Sequence, residues 1–166
     1  MSLKLNLGCG PNKREGYVNI DSRPEVNPDI CEYLWDLEYE PESIDEIYIS
    51  NAFEHLNPST AWRLLLRFHK WLKREGKLFI AVPNLTLLGK LISEGNEDEI
   101  LFKWIFGSGY EGVTSHKWGY TENTLRKELN SAGFKIIGHF SPRDDDSGFQ
   151  YKGQYLSLNL ECEKWI

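Results

Sequence analysis

The stretch Leu5-Asn6-Leu7-Gly8-Cys9-Gly10 (LNLGCG) places a glycine turn directly after a strand-like apolar run. Glycine adopts turn conformations that other residues avoid, and it lets the backbone approach a ligand closely. A G-x-G turn alone also fits an ordinary tight turn. The segments that follow the turn decide between these two interpretations.

Strand-like and helix-like segments alternate along the chain after this turn, which is typical of a mostly parallel α/β sheet. No helix separates the last two predicted strands, so we expect them to pair antiparallel. The 166 residues predict a single domain that spans the whole chain. The predicted strands cover 3–7, 17–20, 30–34, 44–50, 77–82, 134–140 and 155–162, and the predicted helices cover 59–75, 85–94, 97–106 and 121–132.

The helix predicted over 59–75 has the clearest signals. Pro58 and Ser59 suit its start, and Gly76 suits its end. Residues at helical spacing predict its buried face: Trp62, Leu65, Phe68 and Leu72. Thr121 is predicted to cap the last helix.

The first two connections between strands are too short for full helices, which need about a dozen residues. They comprise residues 11–16 and 22–29. The fold class is therefore a Rossmann-like, mostly parallel sheet with an antiparallel last strand and with the first crossover helices shortened or missing. One face of such a sheet is thinly covered. We expect a second copy of the chain to cover it, in a homodimer with Pro24, Val26 and Ile30 near the contact.

Glycines or polar residues follow four of the predicted strands. Gly8 and Gly10 come after the first strand, Asp21 after the second, Asp36 after the third and Asn51 after the fourth. Ligands of open α/β sheets bind outside the carboxyl ends of the strands. A carboxylate at the tip of the second strand suits the two ribose hydroxyls of a nucleoside, so these residues predict a nucleotide-like ligand.

These segments resemble the class I S-adenosylmethionine-dependent methyltransferases, and within them a compact methyltransferase-domain subgroup. The resemblance covers most of the chain: LNLGCG at 5–10, GYVNID at 16–21, WDLEYEPESIDEIYISNAFEHL at 35–56, GKLFIAVPN at 76–84 and HKWGYTENTLRKELNSAGFKII at 116–137. It implies S-adenosylmethionine as the cofactor. By this resemblance Gly8 and Gly10 hold the methionine part, Asp21 the ribose, Asp36 and the backbone of Leu37 the adenine, and Asn51 lies beside the methionine end.

The sequence departs from the family pattern at two residues besides the short connections. Asn6 stands where an acidic residue is usual, and Asn12 stands where a third glycine is common. A non-catalytic methyltransferase-like binding module is therefore the alternative to an enzyme. An NAD-dependent dehydrogenase fits less well, because its pyrophosphate requires the third glycine and a helix N-terminus.

Methyl transfer to oxygen or nitrogen benefits from a base that takes the acceptor's proton. His55 and His116 are the candidate catalytic residues, although a structural role for His55 remains open. His69 and His139 are interpreted as structural, and Cys9 as a packing residue. The region 85–120 is the predicted lid over the acceptor, with Trp104, Phe106, Tyr110, Trp118, Gly107, Gly109 and Gly112. The acidic run 144–146 fits a solvated loop, so no metal site is predicted.

Composition bounds the partners. Lys and Arg number 19 against 25 Asp and Glu, a net charge of −6, which makes a nucleic-acid partner unlikely. No apolar run is long enough to cross a membrane. The chain begins directly with a strand-like run, so we expect no secretory signal, and three widely spaced cysteines predict reduced thiols in the cytoplasm. The predicted substrate is a small-molecule or saccharide-type acceptor.

Overall fold

The structure is a computed structural model that describes residues 2–108, 115–143 and 146–165. In chain order its strands and helices are β1 (Lys4–Leu7), β2 (Val18–Asp21), β3 (Ile30–Cys31), β4 (Ile44–Ser50), α1 (Pro58–Trp71), β5 (Leu72–Pro83), α2 (Leu85–Ser93), α3 (Glu99–Phe106), α4 (Glu122–Ser131), β6 (Phe134–His139), β7 (Gln150–Tyr151), β8 (Gln154–Tyr155) and β9 (Ser157–Lys164).

Seven strands form one sheet in the order β3-β2-β1-β4-β5-β9-β6. The pairs among β1 to β5 are parallel, and β9 runs antiparallel to both β5 and β6. The predicted mostly parallel sheet with an antiparallel last strand is therefore confirmed. The last strand does more than form a hairpin with β6, because it lies between β6 and β5.

Several predicted bounds are wrong. The third strand contains only two residues, and the loop predicted over 141–154 contains β7 and half of β8, which pair as a small hairpin. Helix α1 ends at Trp71 rather than at Glu75, because Leu72 turns to an extended conformation and pairs with Ile44 of β4.

The predicted buried face of α1 is also partly wrong. Trp62 is 37% exposed, and the buried residues of the helix are Ala61, Leu64, Leu65, Phe68 and Trp71. These side chains pack in the main core with the buried residues of α4 and with one face of the sheet, which includes Leu5, Leu7, Ile47, Ile49, Leu78 and Ile80.

Side-chain caps fix where the helices begin. Asn57 accepts a hydrogen bond from the amide of Thr60 at the start of α1, and Asn84 does the same for Leu87 in α2. Thr121 caps α4 as predicted, because it and Thr124 each accept from the other's amide. Such caps satisfy amides that the first turn of a helix leaves without a partner.

The first two connections lack full helices, as the spacing predicted. The second of them contains only a 3-10 turn at Pro24–Val26. Hydrogen bonds to Asn19 hold both connections against β2. The side-chain oxygen of Asn19 accepts from the backbone amide of Arg14 at 2.7 Å, and the side-chain nitrogen of Asn19 donates to Asp29 at 2.8 Å.

The second face of the sheet is covered by side chains of the same chain. Arg14 lies 3.5 Å above the ring centre of Tyr48, and Asp146 accepts hydrogen bonds from the Tyr48 hydroxyl at 2.7 and 2.8 Å. The Phe140 ring packs edge-on against Tyr48 and against Phe79. The loop after β6 thus covers this face through Phe140 and Asp146.

Two charged pairs also lie on this second face. Lys4 bonds to Glu46 at 3.0 Å, and Lys77 bonds to Glu161 at 2.7 Å. A surface of this kind does not need a second apolar surface against it. The homodimer was predicted because one face of the sheet was expected to lack cover, and this reason no longer applies. The homodimer stays a prediction that the fold does not support. In the part of the chain that the structure describes, no helix is long and apolar enough to cross a membrane.

Candidate active site

A cavity of about 690 Å³ opens at the carboxyl ends of the parallel strands. Gly8, Asp21, Asn51 and Pro83 line it from the ends of β1, β2, β4 and β5. Its size lies within the range of small-molecule and cofactor sites. Three of the strand-end residues that the sequence predicted thus converge on one cavity: Gly8, Asp21 and Asn51.

The glycine turn after β1 has the conformation that its sequence predicts. Gly8 and Gly10 have φ angles of +65° and +53°, which side chains disfavour. A Cβ atom at Gly8 would lie 2.5 Å from that of Ala52. Gly8 lines the cavity, whereas Gly10 acts behind it by donating its amide hydrogen to Asp21 Oδ2 at 2.8 Å.

Asp21 is buried and already has four donors. Besides the Gly10 amide, Arg23 donates through its backbone amide at 3.0 Å, its Nε at 3.0 Å and its Nη2 at 3.3 Å. Burial alone would raise the pKa of Asp21, but the hydrogen bonds from Arg23 and Gly10 lower it below its usual value. The carboxylate is therefore ionised at neutral pH.

The residues predicted to bind adenine lie beside the cavity rather than on its surface. Asp36 is exposed and donates its amide hydrogen to the Tyr33 carbonyl, and Leu37 is buried. Neither is among the described residues that line the cavity. The lining instead contains Glu32 and Tyr33–Trp35, and the Tyr33 and Trp35 rings stack with their centres 4.7 Å apart.

Asn51 is fixed at the end of β4. It has a left-handed φ of +47°, its amide donates to Ala81 at 2.9 Å, and its side chain donates to the backbone of Asp146 at 3.2 Å. The last contact ties the loop after β6 to the cavity.

Both predicted catalytic histidines line the cavity and lie together, where they meet Glu54. Their rings pack edge-on with centres 4.8 Å apart. Glu54 Oε1 lies 4.0 Å from His55 Nε2 and 3.7 Å from His116 Nε2. The Glu54 backbone carbonyl accepts from the amides of Lys117 and Trp118, which holds the His116 segment beside the turn at Phe53–His55.

Glu54 is 1% exposed, and its Oε2 atom has no hydrogen-bond partner among the described residues. Burial raises its pKa to about 8. Burial also lowers the pKa of His55, and burial together with the nearby His55 lowers that of His116 to about 4. Both imidazoles are therefore neutral at pH values near neutrality.

The orientation of both histidines follows from their backbone partners. His55 Nδ1 contacts the Ser115 carbonyl at 3.2 Å, and His116 Nδ1 contacts the Ile105 carbonyl at 3.1 Å. A carbonyl only accepts, so these two contacts put the hydrogen on Nδ1 and the lone pair on Nε2. These lone pairs are on the side of Glu54. The backbone of Asn51 is a further hydrogen-bond partner of His55.

Three further residues were interpreted from the sequence as packing or structural residues: Cys9, His69 and His139. Cys9 is 5% exposed, and burial raises its pKa to about 11, which suits packing rather than catalysis. His69 donates to the Trp165 carbonyl, and His139 pairs with Glu122 at the surface.

Of the predicted lid, Trp104 and Gly107 line the cavity, while Phe106 and Trp118 are exposed. Gly109, Tyr110, Gly112, Asp144 and Asp145 lie outside the described residues.

Neither protein-family models nor curated protein sequences match the chain. Solved structures do match it. An S-adenosylmethionine-dependent methyltransferase from Methanosarcina mazei superposes with a TM-score of 0.65 at 17% identity, covering 98% of this chain and 92% of that one. One from Mesorhizobium loti gives 0.63 at 16% identity, covering 97% and 90%. The Burkholderia thailandensis 1,6-didemethyltoxoflavin-N1-methyltransferase, solved with bound 1,6-didemethyltoxoflavin and S-adenosylhomocysteine, gives 0.63 at 16% identity, covering 99% of this chain and 72% of that one.

The chain has the class I S-adenosylmethionine-dependent methyltransferase fold. In this fold the cavity described above lies where ligands of open α/β sheets bind. The residues present fit a nucleoside cofactor, because an ionised buried carboxylate, a glycine without a side chain and two stacked aromatic rings line the same cavity.

Sequence reasoning missed Glu54, Arg23 and the aromatic pair Tyr33 and Trp35. Glu54 directly precedes His55, but one exposed Glu-His pair would look the same in sequence. The distinguishing facts are its complete burial and its proximity to His116, which is 62 positions away in the chain (116 − 54 = 62).

Proposed function

We propose that this protein transfers a methyl group from S-adenosylmethionine to an oxygen or nitrogen atom of a small-molecule acceptor, with saccharide-type acceptors as the first class to test. One observation carries the proposal. One cavity is lined both by Gly8, Asp21 and Asn51 and by the cluster of Glu54, His55 and His116, to which we assign the acceptor. The arrangement suits a nucleoside cofactor and an acceptor that meet in one space.

The cofactor, when bound, supplies an electrophilic methyl group that is displaced in line with its sulfur. The chain contributes alignment and proton transfer. Asp21 accepts hydrogen bonds from the ribose hydroxyls, and Gly8 lets the backbone approach the cofactor. The free Nε2 lone pair of His55 or His116 accepts the acceptor's proton, directly or through one water molecule.

Gly10 and Leu37 keep an indirect association with the cofactor, whereas Asp36, which does not line the cavity, is assigned no contact with it. Gly10 acts through Asp21, to which it donates its amide hydrogen. Leu37 supports the segment Tyr33–Trp35 from inside the core. The exposed rings of Tyr33 and Trp35 are then the surfaces against which the adenine packs, because stacking on aromatic rings stabilises flat bases.

The experiment offers the protein S-adenosylmethionine with a deuterated methyl group and a panel of hydroxyl and amine acceptors. Mass spectrometry then follows the labelled methyl group. Label that moves to an acceptor, and moves far less with His116→Ala, supports the proposal. The alternative, a non-catalytic binding module, predicts that S-adenosylhomocysteine binds while no acceptor gains label above the rate without protein.

The net charge and the free cysteines support the proposals on partners and location. The net charge of −6 disfavours nucleic acid as the acceptor. Cys9, Cys31 and Cys162 are free thiols, which fits the proposed cytoplasmic location. For the homodimer, light scattering over a concentration series decides, since a mass near 19.3 kDa throughout excludes it.

A further inference from the structure

We propose that Glu54, His55 and His116 form a binding site for one divalent transition-metal ion on the acceptor side of the cavity. One potential ligand atom from each of the three side chains lies within 4.8 Å of the other two. All three residues line the cavity. The site therefore has access for an ion and for a molecule that binds to it.

The distances are close to those that an ion imposes. Ligand atoms that share an ion at about 2.0–2.2 Å lie about 3–3.5 Å from each other. Glu54 Oε1 is 3.7 Å from His116 Nε2 and 4.0 Å from His55 Nε2. Small rotations of the three side chains, which move the ligand atoms by about 1 Å, complete the site.

The surroundings of the ligand atoms also point to a cation. A histidine that binds a metal usually donates its second ring hydrogen to a carbonyl or carboxylate, which fixes the ring. Both histidines do so through Nδ1, to the carbonyls of Ser115 and Ile105. Glu54 is almost completely buried and its Oε2 lacks a partner among the described residues, so a cation bound to this carboxylate would offset the cost of burying it.

The chemistry of the ligands selects the kind of ion. Two imidazoles and one carboxylate suit ions such as Zn²⁺ and Co²⁺, whereas Mg²⁺ and Ca²⁺ prefer oxygen ligands. Three protein ligands leave at least one coordination position for a water molecule or a substrate. The open cavity supplies the space for it.

This site deepens the proposed methyl transfer and, in its consequence for the acceptor, rests on that function. With the ion bound, the Nε2 lone pairs of both histidines are metal ligands, so the ion takes over from them the activation of the acceptor. With neutral histidines and one carboxylate, a divalent ion leaves a net charge of +1 at the site. An acceptor hydroxyl that binds the ion loses its proton to solvent more readily, because the cation stabilises the oxygen anion. The oxygen then forms a bond to the methyl carbon as the carbon–sulfur bond breaks. The preferred acceptor is thus one with a hydroxyl group able to bind the ion.

Metal binding is measured directly on protein treated with a chelator. Co²⁺ is titrated while its visible absorption is recorded, and Zn²⁺ is then added as a competitor. All proteins carry Cys31→Ser, since Cys31 is an exposed free thiol that would bind these ions itself. We expect about one Co²⁺ per chain, displaced by Zn²⁺, and a loss of affinity of about a hundredfold in Glu54→Gln and in His116→Ala.

The matched control is His139→Ala. His139 and Glu122 also form a His-Glu pair, at 3.2 Å, but on the surface and with no third potential ligand among the residues that the structure describes. This variant should bind Co²⁺ like the parent. Unchanged Co²⁺ binding in Glu54→Gln and His116→Ala, or no binding by the parent protein, would overturn the proposal. Should Glu54→Gln fail to fold, His55→Ala and His116→Ala carry the test.

S-adenosylhomocysteine binding, measured on the same proteins, separates this proposal from the proposed function. A parent protein that binds S-adenosylhomocysteine but no Co²⁺ contradicts the metal site alone. One that binds Co²⁺ through the three residues but no S-adenosylhomocysteine contradicts the methyltransferase function and leaves the metal site standing.

Discussion

Arg23 closes over Asp21: its Nε donates to Oδ1 at 3.0 Å, and its Nη2 donates to Oδ2 at 3.3 Å. A carboxylate has about four acceptor positions, and with two backbone amides these are all in use. The ribose hydroxyls proposed to bind Asp21 can therefore do so only if the Arg23 side chain moves away.

Two substitutions at this pair should have opposite effects on S-adenosylhomocysteine binding. Asp21→Ala should weaken it by about 1–3 kcal/mol, the scale of a lost charge-assisted hydrogen bond. Arg23→Met should strengthen it up to about fivefold, since the partly exposed ion pair that must be broken contributes at most about 1 kcal/mol. Calorimetry measures both. Equal weakening by the two substitutions would mean that Arg23 holds the cofactor rather than competing with it.

Gly8 and Gly16 offer a matched pair for the close packing of the glycine turn. Both have a left-handed φ, but a Cβ at Gly8 meets Ala52 at 2.5 Å, and one at Gly16 meets none of the described residues within 4 Å. Gly16→Ala should cost about 1 kcal/mol of unfolding free energy, from backbone strain alone. Gly8→Ala should cost clearly more, by about 1–3 kcal/mol, because overpacking is added. Urea denaturation that gives equal costs would contradict the close approach.

Asp29 should make the stability of the fold depend on acid pH. Hydrogen bonds from the amide and side chain of Asn19 and from Lys13 lower its pKa from 3.8 to about 2. Its contribution is therefore complete above pH 3.8 and is lost as the pH falls towards about 2. Because the side chain is 43% exposed, we expect only about 1 kcal/mol.

Asp29→Asn isolates this charge, since the amide oxygen still accepts from Asn19. Urea midpoints should show the variant less stable near neutral pH, and the gap should close as the wild-type carboxylate takes up its proton. A gap that stays constant down to about pH 2 would show that the charge is not responsible.

His116 should affect turnover and leave cofactor binding nearly intact. Once an acceptor is found, His116→Ala should lower kcat by about a hundredfold, as the loss of a positioned base or metal ligand does. Its affinity for S-adenosylhomocysteine should change little, because the histidine lies on the acceptor side of the cavity. Equal losses in both quantities would instead identify His116 as a residue that supports the fold.

The sequence predicted the sheet because its strongest signals are local. The glycine turn, the apolar runs and the capping residues each act within a few positions, and β4 and the Thr121 cap were predicted correctly. The boundary of α1 was not, since Leu72 leaves the helix to pair with Ile44, a contact between residues distant in sequence. The cover over Tyr48 by Arg14 and Asp146 escaped prediction for the same reason.

The candidate site shows the same division between features that local sequence predicts and features that depend on contacts between distant segments. Gly8, Asp21 and Asn51 follow strands and were found from that position alone. The nearness of His55 to His116 was not predicted, because it depends on a backbone contact between Glu54 and the segment at Lys117 and Trp118. The burial of Glu54 depends on the whole fold, so no local pattern reveals it.

Cofactor binding is the central claim, and calorimetric titration of the purified protein with S-adenosylhomocysteine tests it most directly. We predict binding of about one molecule per chain, with a rise in melting temperature because the ligand binds only the folded state. The same titration of Asp21→Ala should show binding weakened by about 1–3 kcal/mol. No heat and no thermal shift at about millimolar ligand would contradict the account.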